Sequence, residues 1–432
     1  MIENFNKRFK NLCYNLKIED RRFVLGLSGG IDSMALLNLL KFFVERNNTL
    51  KVQVYPVIID HGLRSNSAVE ANAVLNLALN LGFETIIKKI NTEKPSGNIQ
   101  NWARKERRKI LCDITFDLSA ILLLGHHSDD QAETIFMRSI KGSGIDGLVG
   151  MQEKIAWNGI SIIRPLIFFN KCQVKKYVEE NNIIYFQDIS NSMFKFERVQ
   201  VRKTLRDISL TRWHSISEDL IKFSFLNKKL LKKINDVFSK WVQNNILIDN
   251  RGAIRVDFKK LQYIFKSSNQ FTINILGKII KTVGGKEFSP KKNKTLNCLN
   301  VIFSPSFSRT NLGNVNIYLK NKYLFFIREN RNISFKLEII NNKKYIFDGR
   351  FILISKHSGN LIKSDFKDIG CVNTDNAFTE YEDEIKNTIP FMLTLEGMTV
   401  RPYFNMVDMR SDEIVNRKYN SFDFCLINRL LI

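Results

Sequence analysis

Residues 28–33 carry the first pattern in this chain that could do chemistry. They follow the apolar run 23–27, precede a helical pattern, and are Ser28, Gly29, Gly30, Ile31, Asp32 and Ser33. Two adjacent glycines let the backbone turn sharply and bring its N–H groups against an anion, and a helix N-terminus adds unpaired donors. The pattern predicts a phosphate cradle, although an ordinary capped strand-to-helix turn is the alternative. It is not a Walker A loop, because no Gly-Lys-Ser/Thr follows.

Asp32 places a carboxylate beside the predicted phosphates. This arrangement is electrostatically unfavourable unless a divalent cation lies between them, so we predict that Asp32 binds Mg²⁺ together with a triphosphate. The structural alternative for this residue is a helix N-terminal cap.

Residues 126–133, with the sequence HHSDDQAE, form the second group. Asp130 and Glu133 lie three positions apart, on one face of the predicted helix. Two carboxylates crowded at the end of a buried strand suit an amine, which they could hold or deprotonate.

Part of the same stretch has a structural interpretation. Ser128 as N-cap and Gln131 three positions later would form a capping box. Metal binding by His126 and His127 is a weaker alternative, because the HExxH spacing of zinc sites is absent.

Two arginines lie where they could steady phosphates. Arg104 and Arg107 share a helical face before the fourth predicted strand, and the pattern does not decide which of them reaches the site.

The elements that must position these groups alternate between strand and helix patterns. Short apolar runs predict strands at 23–27, 52–59, 85–90 and 120–125. Strands separated by helices indicate an α/β domain with a parallel sheet, whose ligands bind at the carboxyl ends of the strands. Asp60 and His61 follow the second strand, and we expect them to line a nucleotide site with His126, whereas Arg64 reaches outward.

Beyond residue 212 the alternation ends. We predict a catalytic domain at 1–212, a mainly helical domain at 213–330 and a smaller β-rich α+β domain at 331–432. The second domain begins with a long Lys-rich helical pattern, and it includes a strand in AIRVDF and a hairpin turning near Lys320 and Asn321.

Composition narrows the class of protein. The chain has 432 residues, 44% hydrophobic, with 66 Lys and Arg against 43 Asp and Glu, a net charge of +23. This excludes a disordered chain and points to a nucleic-acid partner. No apolar run approaches the roughly 18 residues of a membrane span, so we expect a cytoplasmic protein without membrane contact. Six scattered cysteines indicate neither a zinc knuckle nor a redox pair.

Five motifs together resemble the PP-loop ATP pyrophosphatases and, within them, the tRNA(Ile)-lysidine synthases. They are SGGIDS at 28–33, DHGLR at 60–64, GHHSDDQAET at 125–134, GSG with GL and Met151 at 142–151, and the arginines near 164 and 198–202. The resemblance is specific over residues 24–202 and weaker afterwards. It implies an adenine nucleotide alpha hydrolase-like fold, followed by two tRNA-contacting domains.

The resemblance also implies a reaction. ATP with Mg²⁺ would activate C2 of the cytidine at the first anticodon position of tRNA(Ile) with a CAU anticodon, and free L-lysine would displace AMP. The product is lysidine, which changes decoding from AUG to AUA. Asp32, Arg104, Asp130 and Glu133 would act in catalysis, with Asp130 and Glu133 at the lysine amine. Arg164, Arg198 and Arg202 would contact the site or the tRNA backbone, since phosphate binding needs charge more than shape.

Other functions stay open at this point. A thiolating PP-loop enzyme would need a persulfide-carrying cysteine or cluster ligands, and an amidotransferase-type ligase would need a glutaminase partner. An RNA-binding module that keeps a nucleotide site without turnover is a candidate from another class. The sequence also leaves open whether the chain forms a homodimer.

Overall fold

The computed structural model describes residues 1–15, 21–62, 67–97, 99–157, 160–186, 197–335, 337–341, 344–363, 378, 381–396, 399–400, 403–408 and 422–428. The chain divides into two compact units, residues 1–232 and 233–432. The three-domain division expected from the sequence stays a prediction. Among the described helices, none combines the length and the apolar character that crossing a membrane requires.

The first unit is built on one six-stranded sheet. Its strands are β1 (Arg21–Gly26), β2 (Val52–Asp60), β3 (Ile86–Lys89), β4 (Ile121–Leu123), β5 (Lys154–Trp157) and β6 (Ile160–Ile163). Their order is β3-β2-β1-β4-β6-β5, and every neighbouring pair is parallel except β5 with β6. The four strands predicted from apolar runs are confirmed, and so is the α/β fold class. β5 and β6 are additional to the predicted strands.

Helices connect and cover these strands. They are α1 (Ile2–Asn15), α2 (Ile31–Arg46), α3 (Ser67–Asn80), α4 (Ile99–Asp117), α5 (Ser128–Ile140), α6 (Ile145–Leu148), α7 (Lys171–Glu180), α8 (Glu197–Thr211) and α9 (Ile216–Asn245). The boundary between the two units falls within α9.

An aromatic cluster fixes the helix that follows the phosphate loop. The Phe9 ring of α1 contacts Phe23 of β1, with centroids 5.4 Å apart, and Phe43 of α2, with centroids 4.8 Å apart. All three side chains are fully buried, and each buried ring stabilises the fold by roughly 1.5–3 kcal/mol. These contacts fix the position of α2 relative to β1, and they thereby fix both ends of the loop between them.

The second unit combines helices with three further sheets. The helices are α10 (Phe258–Ser267), α11 (Asn269–Val283), α12 (Lys292–Ile302) and α13 (Glu382–Lys386). The first sheet, in the order β7-β8-β11-β10-β9, contains β7 (Ile246–Ile248), β8 (Ile254–Asp257), β9 (Arg309–Leu312), β10 (Val315–Lys320) and β11 (Tyr323–Arg328). It confirms the predicted strand in AIRVDF and the hairpin predicted to turn near Lys320 and Asn321; the two turn residues are Asn321 and Lys322.

The remaining strands form two four-stranded sheets. One has the order β12-β15-β16-β17 and the other β13-β14-β19-β18. Their strands are β12 (Glu338–Ile339), β13 (Lys344–Phe347), β14 (Phe351–Ser355), β15 (Gly359–Lys363), β16 (Pro390–Thr394), β17 (Thr399–Val400), β18 (Tyr403–Asp408) and β19 (Phe422–Asn428).

Candidate active site

The loop between β1 and α2 is shaped by Gly29. Its φ is +76°, and a Cβ at this position would lie 2.5 Å from Cγ2 of Val74, so a side chain is excluded by both strain and space. Inside the loop, Ser33 Oγ donates to Gly30 O at 2.9 Å and accepts from Ser28 N at 3.3 Å. The loop is therefore braced by its own side chains.

The first turn of α2 is open to an anion. Gly30 is the N-cap residue of this helix and has no side chain that could cap it. Asp32 is the second helical residue, so it is not the N-cap and that alternative is wrong. The unpaired N–H groups and the dipole of α2 are left for a ligand.

Asp32 is held by a residue that the sequence does not single out. Lys171 Nζ lies 2.7 Å from Asp32 Oδ1 and 2.8 Å from Oδ2, although 139 residues separate the two. Lys171 is the first residue of α7, and no local motif marks it. Since Mg²⁺ is commonly bound by one or two carboxylates plus phosphate oxygens, Asp32 beside the loop fits a Mg²⁺ that arrives with ATP.

The carboxyl end of β4 leads into α5. The N-cap of α5 is His127, and Asp130 Oδ2 accepts from His127 N at 3.1 Å. The predicted capping box of Ser128 and Gln131 is therefore wrong, because the helix is capped one residue earlier.

His127 lies among three carboxylates. Its ring nitrogens are 3.8 Å from Asp32, 3.6 Å from Asp129 and 3.5 Å from Asp130. Burial opposes protonation, but the hydrogen bond with Asp129 and the charges of Asp130 and Asp32 prevail and raise the pKa of His127. Within the described parts of the chain, no group of three or more His, Cys, Asp or Glu is arranged to hold a metal ion.

Two arginines of α8 neutralise the acidic pair of α5. Arg198 Nε lies 2.7 Å from Glu133 Oε2, and Arg202 Nε lies 2.6 Å from Glu133 Oε1. Arg198 Nη2 also donates to Asp130 Oδ1 at 2.9 Å. Glu133 is 3% exposed, and both of its oxygens are engaged by guanidinium groups. Asp130 is therefore the more open of the two carboxylates.

His126 and Arg164 lie beyond the paired ends of β4 and β6, where Leu123 is in register with Ile163. Burial lowers the pKa of His126 to about 3; the Asp130 charge opposes this, and the charges of Arg164, Arg198 and Arg107 add to it. Burial also lowers the pKa of Arg164 to about 10. His126 is thus neutral at pH 7 beside a cationic group.

Arg104 belongs to the same electrostatic neighbourhood. Desolvation is the main cause that lowers the pKa of Arg104, and the charge of Arg198 lowers it further. The negative charge of Asp130 acts in the opposite direction and raises this pKa. Arg107 contributes its charge to His126. Both predicted arginines of α4 are therefore electrostatically coupled to this site.

A buried hydrogen-bond cluster ties α5 to α9. Gln131 Nε2 donates to Val149 O and to Ser224 Oγ, each at 3.0 Å, and Ser224 Oγ donates to Val149 O at 2.7 Å. Met151 N donates to Gln131 Oε1. The stretch 142–151 that the sequence motif marks is thereby fixed to the helix that carries Asp130 and Glu133.

Asp60 is the last residue of β2 and is in register with Lys89 of β3. Its Oδ1 accepts from Gly62 N at 2.9 Å. Burial opposes ionisation, but hydrogen bonds from Ser67 and Gly62 and the charges of His61 and Lys89 lower the pKa of Asp60. Arg64 lies outside the described residues.

Comparison of the sequence with known proteins identifies a family and several relatives. The PP-loop domain family matches residues 1–208. A tRNA(Ile)-lysidine synthase of Wolbachia pipientis is 36% identical over 192 residues, which cover 44% of each chain. Those of Rickettsia typhi and Orientia tsutsugamushi are 26% and 27% identical, and the alignments cover 94% and 91% of this chain and 95% and 92% of those proteins.

Among solved structures, a U34-tRNA thiolase of Methanococcus maripaludis with its [4Fe-4S] cluster has a TM-score of 0.43 at 18% identity. The match covers 52% of this chain and 80% of the thiolase.

Proposed function

We propose that the protein modifies tRNA. The premise is that the first 208 residues belong to the PP-loop family and that nearly the whole chain is related to tRNA(Ile)-lysidine synthases, which are ligases. The specific reaction proposed is ATP-dependent ligation of free L-lysine to C2 of the cytidine at the first anticodon position of tRNA(Ile) with a CAU anticodon. AMP and pyrophosphate are the other products.

The observation that carries this proposal is the open helix N-terminus behind the loop at 28–33. Gly29 lacks room for a side chain, and Gly30 leaves the first N–H groups of α2 uncapped. Such a terminus binds phosphate groups and stabilises the charge that grows on departing pyrophosphate. The oxygen on C2 of the cytidine, once adenylated, becomes part of a good leaving group.

Asp32 is the residue that would hold Mg²⁺, which supplies charge neutralisation on the triphosphate when bound. The protein's own contribution is positional. Asp32 is part of the loop at 28–33, and Gly125 lets the end of β4 approach the Asp32 backbone, since a Cβ there would meet the Asp32 carbonyl group at 3.2 Å. The backbone of Asp32 is therefore packed closely against the segment that follows β4.

Lysine would be bound through its attacking amine by Asp130. This carboxylate lies at the start of α5, next to His127 and Arg198. Glu133 sits one turn deeper and holds Arg198 and Arg202 in place. Asp130 can accept the amine's hydrogen bonds, while the arginines face the anionic adenylate.

The RNA would be held mainly by charge. The net charge of +23 and the exposed lysines of α9 attract a polyanion. The target base lies in a single-stranded loop, where it can be splayed outward into the site. Arg164, Arg198 and Arg202 are the proposed contacts to its backbone or to the adenylate.

The test is mass analysis of the anticodon loop after incubation of the tRNA with the full chain, ATP and lysine. A mass gain corresponding to lysine minus water on one cytidine is the expected result. ATP–pyrophosphate exchange that requires the tRNA supports the adenylation step. Exchange absent at every substrate concentration, with tRNA binding intact, would instead identify an RNA-binding module without turnover.

A further inference from the structure

The phosphate loop contains no lysine, yet a lysine reaches it from elsewhere in the fold. Lys171 Nζ contacts both carboxylate oxygens of Asp32, at 2.7 and 2.8 Å. Asp32 is the second residue of α2, beside the uncapped N-terminus of that helix. The ammonium group therefore lies at the edge of the predicted triphosphate site rather than in a remote surface pair.

We propose that Lys171 is the phosphate-binding lysine of this site, exchanging its contact with Asp32 for the β- and γ-phosphates when nucleotide binds. The inference rests on the proposed function, since it takes the loop at 28–33 to hold ATP. It assigns to α7 a direct role in binding the pyrophosphate that leaves during adenylation.

The backbone of Lys171 is anchored, so only its side chain needs to move. Lys171 N donates to Asp129 Oδ2 at 2.8 Å, and Ser128 N donates to Phe169 O at 2.9 Å. These two bonds join the start of α7 to the start of α5. Farther along α7, Val174 and Tyr177 are buried in the core of the first unit. The position of the Lys171 Cα is thereby fixed relative to Asp32.

The N-terminus of α7 itself is not the anion site. The Asn170 side chain accepts from Gln173 N at 2.8 Å, and Gln173 Oε1 accepts from Asn170 N at 2.9 Å. This capping box occupies the donors that a phosphate would use. The positive charge that α7 offers at this point is that of the Lys171 side chain.

Exchange of partners is energetically easy here. The Lys171 and Asp32 side chains are 40% and 30% exposed, and ion pairs this accessible to water contribute little net stability. Once Asp32 binds Mg²⁺, a second cation gains nothing from the same carboxylate. The phosphates beside it then offer Lys171 a stronger, doubly charged partner.

The experiment compares Lys171→Met with Lys175→Met in the full chain. Lys175 is the control because it lies on the same helix, is well exposed and pairs with Glu179 within that helix. Binding of magnesium pyrophosphate and of AMP is measured by calorimetry without tRNA or lysine. We expect Lys171→Met to weaken pyrophosphate binding about tenfold or more, the size of one charge-assisted hydrogen bond, and to change AMP binding less than about twofold.

A second measurement probes the exchange directly. Mn²⁺ binding without nucleotide, followed by electron paramagnetic resonance, should become tighter in Lys171→Met, because the competing ammonium group is gone. Lys171→Arg keeps the charge and should retain pyrophosphate affinity within about threefold of wild type, which also guards against a folding defect in the Met variant.

Two results would overturn the inference. One is pyrophosphate binding by Lys171→Met equal to wild type; the other is an equal loss of pyrophosphate and AMP affinity, which indicates a structural role. Failure of the wild-type chain to bind either ligand would refute the proposed function itself, so the two failures are distinguishable.

Discussion

Glu133 and Arg202, 69 residues apart in the chain, are joined by a hydrogen bond of 2.6 Å from Arg202 Nε to Glu133 Oε1. Arg198 binds the other oxygen of the same carboxylate. The carboxylate is buried, whereas Arg202 is half exposed. We therefore propose that Glu133 acts on the site through the arginines that it orients, and that Asp130 is the carboxylate that meets the substrate amine.

This arrangement predicts different effects for the two carboxylates. Asp130→Asn should raise the KM for lysine about tenfold or more, because it removes the charge that meets the amine. Glu133→Gln should lower kcat with a smaller change in that KM, and it should reduce the free energy of unfolding by about 1–3 kcal/mol because the arginines lose their buried partner. Steady-state kinetics and urea unfolding of both variants check this. Equal effects on the lysine KM would place Glu133 at the amine.

Replacing Asp32 should impair catalysis without weakening RNA binding. Asp32→Ala should reduce AMP formation at least about 100-fold, because it removes the carboxylate proposed to hold the Mg²⁺ that neutralises the triphosphate. Affinity for tRNA should change less than about twofold. AMP release and filter binding measure the two quantities, with exposed Asp146→Ala of α6 as the control. A parallel loss of tRNA affinity would mean that Asp32 is mainly structural.

Local patterns are enough to predict the elements around the site, but not the long-range pairings that complete it. The glycines at 29 and 30 and the apolar strand runs act through neighbouring residues, so the sequence shows them directly. Lys171 and Asp32 meet across 139 residues, and Gln131 and Ser224 across 93. Such pairings depend on how α7 and α9 pack, which no spacing encodes. Capping logic even misassigns Gln131, because its amide is used in the tertiary cluster.

The lowered pKa of His126 should make the folded chain less stable in acid. Its pKa in the folded chain is about 3, mainly through burial, against an ordinary value of 6.5. Between these values the unfolded chain binds a proton that the folded chain does not, so the free energy of unfolding falls as the pH drops below 6.5. This one group contributes at most about 1.4 kcal/mol per pH unit.

The measurement is urea unfolding between about pH 6.5 and 4.5, inside the window that the two pKa values of His126 define. His126→Gln should flatten the pH dependence over this window relative to wild type. An identical slope in His126→Gln and wild type would show that His126 is not held neutral by the fold.

We expect the lysines of α9 to make a salt-dependent contribution to tRNA binding. Lys228, Lys229, Lys232 and Lys233 are all exposed. If they contact phosphates, replacing all four with Ala should weaken binding and reduce the slope of log affinity against log salt by roughly 0.7–0.9 for each phosphate that is no longer neutralised. The matched control replaces four exposed lysines of α1 and α7: Lys7, Lys10, Lys175 and Lys176. An unchanged slope in the α9 variant would mean that these lysines do not contact phosphates of the tRNA.

Asp348 is the shared counter-ion of two buried arginines in the second unit. Its carboxylate accepts from Arg328 Nε and Nη2, each at 2.9 Å, and from Arg350 Nε at 2.7 Å. Both arginine side chains are at most 2% exposed, and Arg350 Nη2 also donates to Thr388 O at 2.7 Å. The group thus joins β11, the β13–β14 turn and the segment after α13.

Asp348→Asn keeps the shape but removes the negative charge that the two buried guanidinium groups share. Breaking a buried ion pair from one side costs about 3–5 kcal/mol, so we expect a decrease of this size in the free energy of unfolding. Exposed Asp383→Ala in α13 is the control and should change it by less than about 0.5 kcal/mol. Urea unfolding of the full chain provides the measurement. A change in Asp348→Asn no larger than that of the control would mean that backbone carbonyls alone satisfy the two arginines.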